Sequence, residues 1–222
     1  MRHATLIEDF ESAVSDGGFP CVGAKSAMGL GRIEYFVGDS FDRTTYDLPL
    51  FEAIRRFSDQ LDPTEAAVQS FVALFDTPRD LEEGEFAECL WDKLQSLHNI
   101  DAAYGSEWSK TVDRDPSSAH FSFSLCGTGY FIVGLHPNAS RASRRFPMPA
   151  LVFNSHDQFE ALRKDGRYAE LQSTIRAKDA ALEGDINPML ANFGEASEAF
   201  QYSGRKLDDT WECPFVPRDP LP

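Results

Sequence analysis

Residues 120–136 read HFSFSLCGTGYFIVGLH. Two β-rich runs flank Gly127-Thr128-Gly129, which suits a hairpin closed by a three-residue loop. With Cys126 paired to Tyr130, Phe121, Phe123 and Leu125 stand opposite Leu135, Val133 and Phe131. That face is wholly apolar and belongs to a core. Side chains alternate along a strand, so His120, Ser122, Ser124, Ile132, Gly134 and His136 share the other face. A solvent-facing antiparallel sheet would carry Lys, Glu and Thr there. Ser122, Ser124 and Gly134 instead leave room for something flat, with a histidine at the end of each strand.

Outward from this hairpin, Ala4 to Val14 reads as an amphipathic helix. GGFPCVGAKSAMGLG, with Gly and Pro at its edges, reads as a loop, and RIEYFV (32–37) as a strand. Leu50 to Phe57 is helical. Asp62 and Pro63 start a further helix with Val68, Phe71, Val72 and Phe75 on one face. Thr77-Pro78 ends it. Phe86, Leu90, Leu94 and Leu97 mark the next helix. Ala150 to Phe153 is a strand, and Asn154 or Ser155 caps a helix with Phe159 and Leu162 inside it. Tyr168 to Leu182 continues helical up to Gly184. The tail from Asn187 is an irregular wrap over the core. The fold expected is α+β: one domain over 1–222, an antiparallel sheet with a central hairpin at about 120–136, packed by several helices.

The 222 residues carry a net charge of -15 and 18 phenylalanines. A core can form, and the acidity disfavours nucleic acid and anionic membrane as partners. MRHATLIEDFESAV lacks the apolar core of a signal peptide, and no apolar run reaches membrane-spanning length. Cys21, Cys89, Cys126 and Cys213 form no CxxC pair, which fits reduced thiols in a cytoplasmic protein. A homodimer is the expected assembly.

Behind the hairpin comes HPNASRASRRF, residues 136–146. Arg141, Arg144 and Arg145 would share one face of a helical turn. Their forks match carboxylates. They could meet the propionates of a haem, a substrate phosphate, or the chain's own acids. A zinc site lacks its ligands here. A facial iron triad could use His120, His136 and an acid, but the sequence does not pick out the acid. Haem needs one axial residue, and His136 can supply it. Cys21 could act as a thiolate ligand, although a buried inert cysteine is commoner. His98 ends a helix, where a cation is favoured. His156 starts one, where a neutral ring is favoured.

FPCVGAKSA (19–27), GTGYFIVGLHPNASRASRRFPMPALVFNSHDQFEALR (127–163) and QYSGRKLDDTWECPF (201–215) resemble the YqcI/YcgG family. The resemblance implies a haem-dependent N-hydroxylase, an oxidoreductase of the monooxygenase type. It would act on the guanidine group of arginine or an arginine derivative in small-molecule biosynthesis. The haem is of the b type, and O₂ and an external electron donor complete the reaction. The alternative is a haem-binding or sensor protein without turnover. On this resemblance His136 is the axial ligand and His156 its rival. Arg144 and Arg145, with Arg141 behind them, meet the propionates, and His120, Ser122 and Gly134 line the pocket. A carboxylate must receive the guanidinium, with Glu34, Glu107 and Asp113 as candidates.

Overall fold

The computed structural model describes residues 2–62, 68–208 and 210–220. Five strands form one sheet in the order β1-β2-β5-β4-β3: Ile33–Ser40, Ser70–Thr77, Phe123–Leu125 (β3), Thr128–Leu135 (β4) and Ala150–Ser155 (β5). β1 and β2 run parallel, and every other neighbouring pair is antiparallel. The sheet is therefore mixed rather than antiparallel throughout. The hairpin occupies its edge rather than its centre.

Seven α-helices are described: Arg2–Ser15 (α1), Val22–Gly29 (α2), Asp47–Gln60 (α3), Glu83–Ala103 (α4), His156–Lys164 (α5), Arg167–Glu183 (α6) and Ala199–Tyr202 (α7). GGFPCVGAKSAMGLG is thus not all loop. Cys21 stands at the N-cap of α2, its Sγ accepting the Ala24 N–H at 3.4 Å. The expected helix with Val68, Phe71, Val72 and Phe75 on one face is wrong from Ser70 onward, where β2 runs. Its Pro63 start lies outside the described residues. β2 is buried on both faces from Ser70 to Asp76. A strand apolar on both sides has no alternation to betray it, and its apolar positions mimic a helical stripe.

The two sheet faces build two cores. Phe71, Phe75, Ile132, Leu151 and Phe153 pack with α3 and α4 in an aromatic-rich core. Val72, Leu74, Leu135 and Ala150 pack with Leu6, Phe10 and Val14 of α1. A buried Lys93–Asp47 ion pair ties α4 to α3, with Lys93 Nζ also donating to Arg43 O at 2.6 Å.

The hairpin closes more tightly than its Gly-Thr-Gly suggests. Cys126 and Gly127 both take positive φ, 52° and 71°. This is the signature of a two-residue primed turn. Leu125 then pairs with Thr128 and Phe123 with Tyr130, three residues away from the expected register. An odd slip exchanges faces. Phe123 and Leu125 join Tyr130, Ile132 and Gly134, and the face of Ser122, Ser124 and Gly134 does not exist.

Gly134 has another task. A Cβ there would lie 2.7 Å from Leu90 Cδ1, 2.8 Å from Phe86 Cε1 and 3.0 Å from Tyr202 O. The glycine lets α4 and α7 approach β4. Gly134→Ala is expected to destabilise the fold by about 1–3 kcal/mol, read as a lower midpoint of urea unfolding. An unchanged midpoint would contradict this packing role.

Candidate functional site

HPNASRASRRF leaves β4 and folds back on itself. The His136 N–H donates to Arg144 O at 3.1 Å, and the Phe146 N–H donates to His136 O at 3.2 Å. Ala142–Arg144 form a single 3₁₀ turn. The three arginines therefore diverge instead of sharing a face. Arg141 meets Asp179 and Asp185 at 2.9 Å each, with Glu183 at 4.0 Å. Arg145 donates to Ala139 O and Ser140 O, both at 3.1 Å. Arg144 is buried and donates to Gly134 O (3.1 Å), Gln201 O (3.0 Å) and Tyr202 O (3.3 Å). Burial lowers its pKa to about 10.

A cavity of about 310 Å³ lies between the α1 side of the sheet and α6. Val72, Val133, Leu135, Val152, Leu171 and Ile175 supply apolar walls. Such a predominantly apolar concavity with few polar groups is the usual form of a ligand site. Its ionisable lining includes Cys21, Arg144, Arg163, Arg176, Asp179 and Glu198. Of the residues expected around the cofactor, Arg144 lines it, together with Cys21, the alternative thiolate ligand.

The histidines go elsewhere. His136 is 1% exposed and stacks on Phe86, with centroids 4.2 Å apart and planes at 17°. Neither ring nitrogen has a hydrogen-bond partner, and burial lowers the pKa to about 4. It is thus a neutral imidazole with both nitrogens open, against α4 rather than among the cavity walls. His120 is exposed and sits edge-on to Phe193 at 5.3 Å, well apart in role from His136. His156 is buried against Phe193 at 4.3 Å, with Nε2 3.7 Å from Glu160; burial lowers its pKa, so a neutral ring is favoured there. His98 lies inside α4 rather than at its end. Its Nε2 accepts the Arg218 N–H at 2.8 Å, and burial lowers its pKa to about 4, the opposite of a dipole-stabilised cation. Among the described residues, no three or more His, Cys, Asp and Glu converge as metal ligands, so His120, His136 and an acid do not come together as a facial triad.

Ser122 is fully buried, and its Oγ makes no hydrogen bond of ordinary geometry. Its hydroxyl still lies close enough to Glu198 to favour the carboxylate. Glu34, Glu107 and Asp113 are exposed. The cavity's own acids are Asp179, paired with Arg141, and Glu198, which precedes α7. Sequence reasoning passed over Glu198 because nothing in GEASEAFQY distinguishes it from surface acids. Its one signal is position, between small residues and an aromatic pair.

The family model described as YqcI/YcgG matches residues 10–216. The chain belongs to the YqcI/YcgG family. One relative within reach is "Uncharacterized protein YcgG" of Bacillus subtilis (strain 168), 30% identical over 210 residues, covering 89% of this chain and 80% of the relative. Another is "Putative N(omega)-hydroxy-L-arginine synthase DcsA" of Streptomyces lavendulae, 30% identical over 231 residues, covering 96% of this chain and 84% of the relative. No solved structure matches the chain. In this YqcI/YcgG protein, no helix among the described residues is long and apolar enough to cross a membrane.

The state of His136 has a measurable consequence. Its folded pKa lies below the ordinary histidine value, so the unfolded chain binds the proton first. Stability is full above about pH 6.5 and falls as pH drops toward about 4. His136→Phe is expected to flatten that acid limb in thermal midpoints measured against pH. His98 contributes a similar limb, so some slope remains. An unaltered slope would contradict a buried neutral His136.

Proposed function

We propose that this protein is a haem-dependent oxygenase that N-hydroxylates a guanidino compound, L-arginine or an arginine derivative. The observation carrying this reading is the apolar cavity that holds a buried arginine and a thiol together. The name of the Streptomyces lavendulae relative supports the reaction and the substrate class.

The lining suits a flat cofactor with acidic edges. Aliphatic side chains from β2, β4, β5 and α6 make the slot. Arg144, Arg163 and Arg176 give the wall positive charge that would attract propionates, while their forks hold protein acceptors. Cys21 offers the donor on the cavity side. Its Sγ accepts the Ala24 N–H, and Arg144 lies near enough to favour the thiolate. Burial raises the Cys21 pKa above that of an ordinary thiol, so the free protein holds a thiol. A coordinating metal deprotonates such a group outright. His136 keeps both nitrogens open but stands behind β4, which makes Cys21 the preferred ligand and His136 its competitor.

A bound haem would supply oxygen activation. In the overall reaction one oxygen atom converts a guanidine N–H into N–OH, and the other leaves as water with two protons and two electrons from an external donor. The chain's share is to bind and orient the substrate and to keep water out.

Haem loading tests this directly. Protein purified after expression with haem supply is expected to show a Soret band. Its ferrous–CO spectrum should be of the thiolate-ligated type. Cys21→Ser should lose that signature, and His136→Ala should keep it. Loss with His136→Ala and retention with Cys21→Ser would reverse the ligand assignment. No Soret band in the wild type would sink the haem reading. With haem bound, L-arginine, O₂ and a reductant should yield N-hydroxyarginine by mass spectrometry. An unchanged guanidino pool would leave a haem binder without turnover.

A further inference from the structure

We infer that Glu198 is the carboxylate that receives the guanidinium of the ligand in the cavity. This rests on the guanidino reading above and adds the residue that recognises it.

Glu198 is 6% exposed, lines the cavity, and has an Oε2 with no hydrogen-bond partner. A buried carboxylate with a free oxygen is costly unless something completes it. The cavity's own cations are otherwise engaged. Arg144 spends its fork on three carbonyls. Arg163 pairs with Glu160 and lies 4.4 Å from the centre of the Tyr168 ring. Arg176 donates to Asn192 Oδ1 at 3.2 Å. Asp179, the other acid on the wall, is already bridged to Arg141. Among the described residues lining the cavity, Glu198 is therefore the acid left for a cation from outside. Phe131 and Phe193 line the same space. A planar guanidinium can lie on an aromatic face while its N–H pair meets a carboxylate, which a compact ammonium does less well.

The charges around Glu198 set how binding responds to pH. Burial is the largest influence and raises its pKa to about 7. The Ser122 hydroxyl, Arg163 and the Tyr202 hydroxyl act against burial, and Glu160 acts with it. His156, next to Glu160 on α5, is held toward its neutral form by burial. Glu198 is thus half protonated near neutrality when no cation is bound. A guanidinium, always charged, displaces that proton.

Calorimetric titration of L-arginine and agmatine into the haem-loaded protein tests this. Wild type is expected to bind about tenfold more tightly at about pH 8 than at about pH 6, following ionisation of one group near neutrality. Glu198→Gln should bind at least about tenfold more weakly at the higher pH and lose the pH dependence. Its haem spectrum should be unchanged, which shows that the fold is intact. Glu198→Asp should weaken binding but keep the pH dependence. Glu198→Gln or Glu198→Asp binding like wild type, with its pH profile, would overturn the role of Glu198 and leave the guanidino reading standing. Wild type binding neither compound at either pH would overturn both.

Discussion

The buried guanidinium of Arg144 holds this structure together where it matters. It reaches from the turn after β4 to carbonyls of Gly134, Gln201 and Tyr202. The two terminal nitrogens of one planar fork satisfy all three acceptors, Nη1 donating to Gly134 O and Tyr202 O and Nη2 to Gln201 O. The contact joins β4 to the segment carrying α7, which brings Glu198 to the sheet. Gly204, with φ of 79°, gives the arginine its passage: a Cβ there would lie 3.0 Å from Arg144 Cγ. The charge that looked out of keeping with an acidic chain is thus partly a structural strut and partly the cavity's cationic wall.

The cavity is defined by which charges are already matched. Arg141 is neutralised by the acids of α6 and the turn beyond it. Arg145 is spent on its own loop. What remains facing the apolar slot is a buried cation beside a thiol, and a separate buried carboxylate beside Arg163. These two neighbourhoods divide the work between cofactor and substrate in the proposed function.

Much of the fold was legible in the sequence. β1, β5 and the helices α1, α3, α4, α5 and α6 follow from periodicity and from end signals such as Ser155 and Gly184. β2 was not, because burial on both faces removes alternation. The hairpin was recognised but its register was not. Cys126 adopts a left-handed conformation that favours glycine, asparagine or aspartate, so the turn closed one step earlier than its glycines advertise. His136, two residues beyond Gly134, packs on Phe86. Of the cavity's lining, the sequence pointed to Arg144 and, as a lesser option, Cys21. Glu198 was hidden because burial is what sets it apart, and a tail without periodicity does not reveal burial.

A haem bound as proposed would occupy the cavity between the sheet and α6. Filling it from the inside tests that without touching any polar group. Val133→Trp places an indole into the space from β4. The account predicts that this variant keeps its far-ultraviolet circular dichroism but takes up little or no added haem, while wild type binds it stoichiometrically. Equal haem uptake by a folded Val133→Trp variant would contradict it.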